Sequence, residues 1–329
     1  MTLARELADT AGRPQVDKNL LINGGYNIWQ RSTSVTGITT SAYRTADRWL
    51  TAFSSMGTWT QSRSTDVPSG QGFGYSLKMD CTTADASPAA SDYIIYNQRI
   101  EGQNLQHLLK GTSSAKAITL SFWIKSNKTG TYICELYDND NSRSISKSYT
   151  IDSASTWEKK TITFEGDTTG TLDNDNAASL YAQWWFGAGS NSTSGTLQTS
   201  WGTLTAANRA VGQVNLADST SNELYITGCQ LEIGEAATDF QFESYGVTWN
   251  KCLRYFDNRT NLQEGARNYT AGWMVFPVYG NWRASPTVTY YDNTGGGTWS
   301  AFNKSETGFL AANSGVGGKT TKIKIDAEL

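Results

Sequence analysis

The chain has 329 residues, 38% of them hydrophobic, and a formal net charge of −3 at pH 7; it is long enough for one large or two modest domains with a real core, and it has no basic stripe to track a nucleic-acid backbone. Charged residues make up only 17%, against about a quarter in an average globular protein; Thr, Ser, Asn and Gly take their place, and aromatics reach 12%, which suits short strands and polar surfaces better than helices. No apolar run approaches the ~20 residues that span a bilayer, and residues 1–9 lack an apolar signal core, so the sequence predicts a soluble protein without membrane insertion, made in a cytoplasm.

Residues 1–18 differ from the rest. Leu3 and Leu7 lie one helical turn apart among Arg5, Glu6 and Asp9, and Gly12 and Pro14 follow as breakers. The stretch reads as a short helix or arm too small to fold alone. It is either a disordered terminus or a docking arm, with Leu3 and Leu7 as its contacts, that orders on a partner.

From Asn19 to Glu235 the chain is a series of strand-like runs. In 118–125, alternation sends Ile118, Leu120, Phe122 and Ile124 toward a core and Trp123 outward with Thr119, Ser121 and Lys125. In 180–186, Leu180, Ala182, Trp184 and Phe186 share one face; Tyr181, Gln183 and Trp185 share the other. Further runs lie at 131–137, 161–164 and 223–232, the last with Leu224 and Ile226 inward. Loops rich in Gly, Ser, Asn and Asp separate them, the spacing of a β-sandwich of jelly-roll type. Residues 247–257 break the pattern: Trp249, Cys252, Leu253 and Phe256 fall at i, i+3, i+4 and i+7, which predicts a short amphipathic helix. Strand-like runs resume at 270–278, 287–291, 299–302 and 320–325. The expected architecture is therefore all-β: an N-terminal arm over 1–18, a jelly-roll β-sandwich over 19–246, a linker helix over 247–257 and a small C-terminal β domain over 258–329. The aromatic surplus of that small domain, Trp273, Phe276, Trp282, Trp299, Phe302 and Phe309 among it, predicts burial against copies of the chain or against the first domain.

The chemistry-bearing residues read mostly as structural. Cys81, Cys134, Cys229 and Cys252 form no CxxC pair and no zinc spacing; buried free thiols are expected. The single histidine, His107, has no acid partner nearby in sequence and no nucleophile elbow. Gly295-Gly296-Gly297 lacks the Lys-Ser or Lys-Thr of a phosphate loop and reads as a hairpin tip. The runs Asp138-Asn139-Asp140-Asn141-Ser142 and Asp173-Asn174-Asp175-Asn176 offer oxygens for a structural Ca²⁺, or are plain Asx turns; no other cofactor is implied. Glycan cleavage needs only two carboxylates roughly 5–10 Å apart, which any chain with 30 acidic residues can supply; the repeated turns of a β-helical depolymerase are absent, and no enzyme is expected. Sugar binding needs an aromatic plane beside groups that read hydroxyls. The outward set Trp123, Tyr181, Gln183 and Trp185 has that chemistry provided both runs sit in one sheet; otherwise these side chains pack under a loop or in a subunit interface.

The stretch 18–31, Lys-Asn-Leu-Leu-Ile-Asn-Gly-Gly-Tyr-Asn-Ile-Trp-Gln-Arg, and 43–50, Tyr-Arg-Thr-Ala-Asp-Arg-Trp-Leu, resemble a family of phage virion structural and tail-fibre proteins. So do 224–234, Leu-Tyr-Ile-Thr-Gly-Cys-Gln-Leu-Glu-Ile-Gly, then Tyr245-Gly246 ahead of 252–256, and the ending 325–329. The resemblance covers 19–329. It implies a jelly roll like that of carbohydrate-binding modules, a small C-terminal β domain and, commonly, a homotrimer. From the residues themselves, Tyr26, Trp29 and Trp49 read as core anchors, Asn23-Gly24-Gly25 as a bend or bulge, and Asp47 and Arg48 as a structural pair. The role expected is that of a virion appendage subunit, attached to other virion proteins through the arm and to host surface glycan through the rest. The rivals are a decoration protein with a purely structural role, a monomeric carbohydrate-binding module and a glycan depolymerase.

Overall fold

The computed structural model describes residues 18–263, 274–291, 298–313 and 320–329. The arm residues Leu3 and Leu7, the Gly295–Gly297 tip and Trp273 lie outside the described residues. In chain order the first part forms β1 (Ser34–Ile38), β2 (Ala42–Tyr43), β3 (Leu50–Ser54), β4 (Thr58–Ser64), β5 (Ser76–Thr83), β6 (Tyr93–Glu101), β7 (Ile118–Ser126), β8 (Gly130–Asp138), β9 (Arg143–Ile151), β10 (Glu158–Phe164), β11 (Ala178–Ala188), β12 (Gly202–Thr203) and β13 (Glu223–Ile233). They sort into two antiparallel sheets, β1-β4-β5-β13-β7-β10 and β12-β9-β8-β11-β6-β3-β2, the two layers of the expected jelly-roll sandwich.

Alternation decides what each strand buries. Ile118, Leu120, Phe122 and Ile124 from β7 meet Leu180, Ala182, Trp184 and Phe186 from β11 and Leu224 and Ile226 from β13 in one core. Trp49 sits at its centre, stacked between Tyr26 (5.3 Å) and Tyr96 (5.1 Å) and tilted against Trp184 at 5.6 Å. Tyr26 and Trp49 are the anchors the sequence indicates; Trp29 is only half-buried and donates its indole N–H to the Tyr26 carbonyl.

The turn at 23–26 works differently from the expected glycine bend. Asn23 and Tyr26 take the left-handed conformation, at φ 58 and 55, whereas Gly24 is required for space: a Cβ there would lie 2.0 Å from the Cys229 carbonyl oxygen. Asp47 and Arg48 are not each other's partners either. Arg48 is left-handed at φ 74, which turns its side chain away from that of its neighbour. Asp47 accepts hydrogen bonds from the Gln30 backbone and side chain, and Arg48 pairs with Glu328.

After the sandwich comes α1 (Tyr245–Leu253). It starts two residues before the expected 247 and stops short of 257. Cys252 is buried as its spacing predicts, but Trp249 turns away from the core and Phe256 opens a strand. The reason is local: Phe256 pairs with Asp326 across a ladder and packs under the Arg31 guanidinium at 3.5 Å. The strands β14 (Phe256–Gln263), β15 (Met274–Tyr279), β16 (Thr287–Tyr291), β17 (Trp299–Ser305), β18 (Gly308–Asn313) and β19 (Thr320–Asp326) make two three-stranded sheets, β14-β19-β16 and β15-β18-β17. Trp282, Trp299 and Phe309 are buried with Val278, Ile323 and Ile325 in a small core of their own. Those three aromatics are covered within the unit itself, whereas Phe302 is exposed.

The last residues return to the sandwich. Tyr43 and Arg99 each donate to the Leu329 carbonyl at 2.9 Å, Arg31 reaches Glu328 and Asp326, and Arg283 bonds the Ala327 and Asn176 carbonyls at 2.9 and 2.7 Å.

Candidate functional site

The four residues marked for sugar contact are split by the fold. Trp123 is on β7, in the six-stranded sheet, half-buried opposite Thr227 and Lys159. Tyr181, Gln183 and Trp185 are on β11, in the seven-stranded sheet. The quartet forms no common face, because alternation fixes which side a residue takes but not which sheet its strand joins.

The three on β11 are also largely spoken for. Glu135, buried on β8, accepts the Gln183 amide and the Trp185 indole N–H at 3.1 Å each and a two-pronged pair from Arg209 at 2.8 Å. A carboxylate so saturated organises structure and is not open to a ligand. Trp185 is 1% exposed, roofed by the loop that carries Ala210 and Arg209 and packed with Ile95 and Ile133. Tyr181 remains half-buried, edge-on to Tyr137 at 5.3 Å and bonded to Asn139.

The two Asx runs do meet: the Asp173 backbone N–H donates to Asp140, and the Asn141 amide to the Thr171 carbonyl. Beside them the Lys110 ammonium donates to Asp138 and to the Thr169 and Gly170 carbonyls. Among the described residues no three His, Cys, Asp or Glu side chains gather as a metal site.

Several depressions remain among the described residues, one of about 550 Å³ lined by Tyr43, Arg44, Phe256 and Asp326 among others, and two others that bear on sugar binding. The larger, about 740 Å³, follows the seam between sandwich and C-terminal unit and is lined by Gln103, Asn104, His107, Asp175, Arg254 and Glu306 among others. Its charged groups are held by their neighbours: Arg254 grips buried Glu101, and Lys251 pairs with Glu243. Burial lowers the His107 pKa, so its imidazole is neutral near pH 7. Tyr255 lies beneath the floor at 1% exposure, so the cleft offers no aromatic plane.

The smaller, about 270 Å³, is lined by Asn27, Trp29, Gln30, Arg63, Tyr245, Trp249 and Asn258. Its wall is built by α1. Tyr245 and Trp249 are four residues apart and hence one above the other on a helix; their rings stack at 6.0 Å and 17°. Tyr245 is 60% exposed and Trp249 half-buried. Gln30 and Asn258 are locked together, Gln30 accepting the Asn258 N–H at 3.2 Å and its carbonyl accepting the Asn258 amide at 2.9 Å. Asn27 and Arg63 are exposed, and among the described residues neither side chain has a hydrogen-bond partner; Arg63 rests over the Tyr75 ring at 4.5 Å. Sequence reasoning missed this site because it placed Trp249 on the buried face of the helix. The signal available was Tyr245, one turn before Trp249 and just outside the expected start.

No protein-family model and no curated protein matches the chain. Among solved structures, it is similar to the enzymatically active domain of tailspike protein 4 of bacteriophage CBA120, at 12% identity and a TM-score of 0.34 over 66% of this chain; the match spans 22% of the tailspike chain. It is also similar to the family 11 carbohydrate-binding module of Clostridium thermocellum in complex with a β-1,3-1,4-mixed-linked tetrasaccharide, at 12% identity and a TM-score of 0.32 over 62% of this chain and 96% of the module. The xylan-binding CBM22-1 domain of Paenibacillus barcinonensis Xyn10C matches at 10% identity and a TM-score of 0.28, over 62% of this chain and 94% of the domain.

Proposed function

We propose that the chain is a glycan-binding subunit of a phage appendage that holds surface sugar and does not cleave it, and that the pocket at the start of α1 is its glycan site. One observation carries this reading: a stacked Tyr245–Trp249 pair, its Tyr245 ring open to solvent, lines a pocket beside side chains free to read hydroxyls. Aromatic faces pack on the C–H side of a pyranose, while amide and guanidinium groups take its oxygens. The volume, just under the ~300–1,000 Å³ of pockets that enclose drug-sized ligands, suits a single sugar ring. The lining contains no Asp, Glu or His, so a general acid for glycoside cleavage is missing there, which favours binding over depolymerisation. The virion assignment is supported by the family resemblance of residues 18–31, 43–50 and 224–234. On that assignment the subunit is a homotrimer docked on the particle through residues 1–18, Leu3 and Leu7 included, and three weak pockets act together on a host surface.

A second reading rests on the same patch. Phe242 and Val247, at 56% and 46% exposure, are further exposed apolar side chains near the start of α1, of the kind that pack between subunits. Binding of the full chain to host cells and purified envelope glycan, with sedimentation of the same sample, separates the two. Tyr245→Ala and Trp249→Ala should each lower glycan affinity at least tenfold, about 1.4 kcal/mol, without changing the sedimentation coefficient. Loss of the oligomer in those variants, with glycan affinity intact, would assign the patch to an interface; a wild type that sediments only as a monomer at micromolar concentration would remove the trimer. If Trp123→Ala or Tyr181→Ala weakens binding instead, the sugar lies on a sheet face.

A further inference from the structure

The charge of the pocket narrows its ligand. Its lining contains one ionised side chain, Arg63, and no acidic residue. Several cations of this chain are neutralised by an acid: Arg254 by Glu101, Lys251 by Glu243, Arg209 by Glu135, Arg143 by Asp167. Arg63 has no such partner among the described residues. It stands at the end of β4, on the strand face of Trp59 and Gln61, where the core opens to solvent. Its backbone N–H is fixed to the Thr33 carbonyl at 2.8 Å and its guanidinium is braced on the Tyr75 ring at 4.5 Å. Stacking on an aromatic face leaves the edge of the guanidinium plane, with its forked N–H groups, available to an anion.

We infer that this pocket selects a sugar residue bearing a carboxylate, a hexuronate unit of an acidic glycan. The ring would lie along Tyr245 and Trp249 and its carboxylate would meet the fork of Arg63, with Asn27 as the neutral reader. A planar guanidinium pairs a planar carboxylate through two parallel N–H···O bonds. No side chain of the lining would repel the anion, and the chain spends no acid of its own on this arginine. The inference rests on the glycan reading above.

The test measures affinities of the full chain for di- and trigalacturonate, for the neutral galactose oligomers of equal length and for galactose 6-phosphate, with wild type, Arg63→Gln and Arg63→Lys. Wild type should bind the uronate at least tenfold more tightly than its neutral counterpart. Arg63→Gln should bring that ratio near one, and Arg63→Lys, which keeps the charge and loses the fork, should fall between. Equal affinity for neutral and acidic oligomers, with Tyr245 and Trp249 still required, would overturn the inference and leave the glycan site standing. Tighter binding of the phosphorylated sugar would overturn the carboxylate assignment. Absence of binding to every sugar would remove the glycan reading and the inference with it.

Discussion

Asp47 is fully buried between the loop at 27–31 and the C-terminal unit, with its carboxylate turned to Gln30. Burial pushes its pKa from 3.8 up to about 6, against the pull of the Gln30 N–H and the nearby Arg31. A carboxyl whose folded pKa lies above its unfolded value binds protons more tightly in the native state. The stability it contributes is therefore fully present below about pH 4 and lost as pH rises through about 6. Two pKa units correspond to ~3 kcal/mol. Glu101, Asp66 and Asp167 act in the opposite sense, held below the ordinary range by Arg254, Lys125 and Arg143 against the cost of burial, so the raw acid profile mixes the two. The difference between wild type and Asp47→Asn isolates Asp47. In urea denaturation the wild type should gain on the variant by up to ~3 kcal/mol between pH 7 and pH 4; a difference independent of pH would contradict the buried-acid account. The sequence reads Asp47 and Arg48 as one pair because they are adjacent. Their separation depends on the left-handed backbone at Arg48 and on Gln30 and Glu328, which only the folded chain brings near.

Among the elements, strand faces were legible and sheet membership was not. The alternating apolar sets of β7, β11 and β13 are all in the core, since a period of two puts each set on one face. That β7 and β11 lie in opposite sheets is set by pairing across long sequence separations, and alternation contains no trace of it. The roof over Trp185 was hidden for a similar reason: the polar 189–216 loop closes on the sheet through contacts such as Gln213 to Ile133 and Leu216 to Phe186. Gly228 shows what such pairing demands. β13 changes register between Thr227 and Gln230, and Gly228 makes the kink at φ 61, where a Cβ would lie 2.5 Å from the Phe73 ring. Gly228→Ala should cost roughly 2 kcal/mol from strain and overpacking together. Gly74, at ordinary φ with open space around it, should tolerate alanine within about 0.5 kcal/mol. Equal melting temperatures for the two variants would mean that the bulge relaxes at no cost.

At the scale of the whole molecule, the C-terminal unit is bound to the sandwich through charge at a buried seam. Arg48 and Glu328 have side-chain exposures of 1% and 4%, and the Arg48 guanidinium also lies 3.4 Å over the Tyr255 ring. Burial alone would lower the Arg48 pKa; the Glu328 carboxylate overrides it and raises it. A buried pair of this kind is weak as a source of net stability, yet removing one partner strands the other charge, at ~3–5 kcal/mol. Glu328→Ala should cost that much. The core around Trp282 and Phe309 is small, so it depends on this seam. Calorimetry should accordingly show one transition for wild type and, for Glu328→Ala, an early transition of the C-terminal unit before the sandwich. Asp326, 44% exposed, ion-paired to Arg31 and accepting the Glu328 backbone N–H, is the control: alanine there should cost about 0–1 kcal/mol. The aromatic pocket draws on Trp29 and Arg63 from the sandwich, Trp249 from the helix and Asn258 from β14. If the seam holds these parts in register, Glu328→Ala should weaken sugar binding although Glu328 is not part of the lining. Full affinity in a variant whose C-terminal unit has come loose would show instead that α1 and the sandwich suffice to form the site.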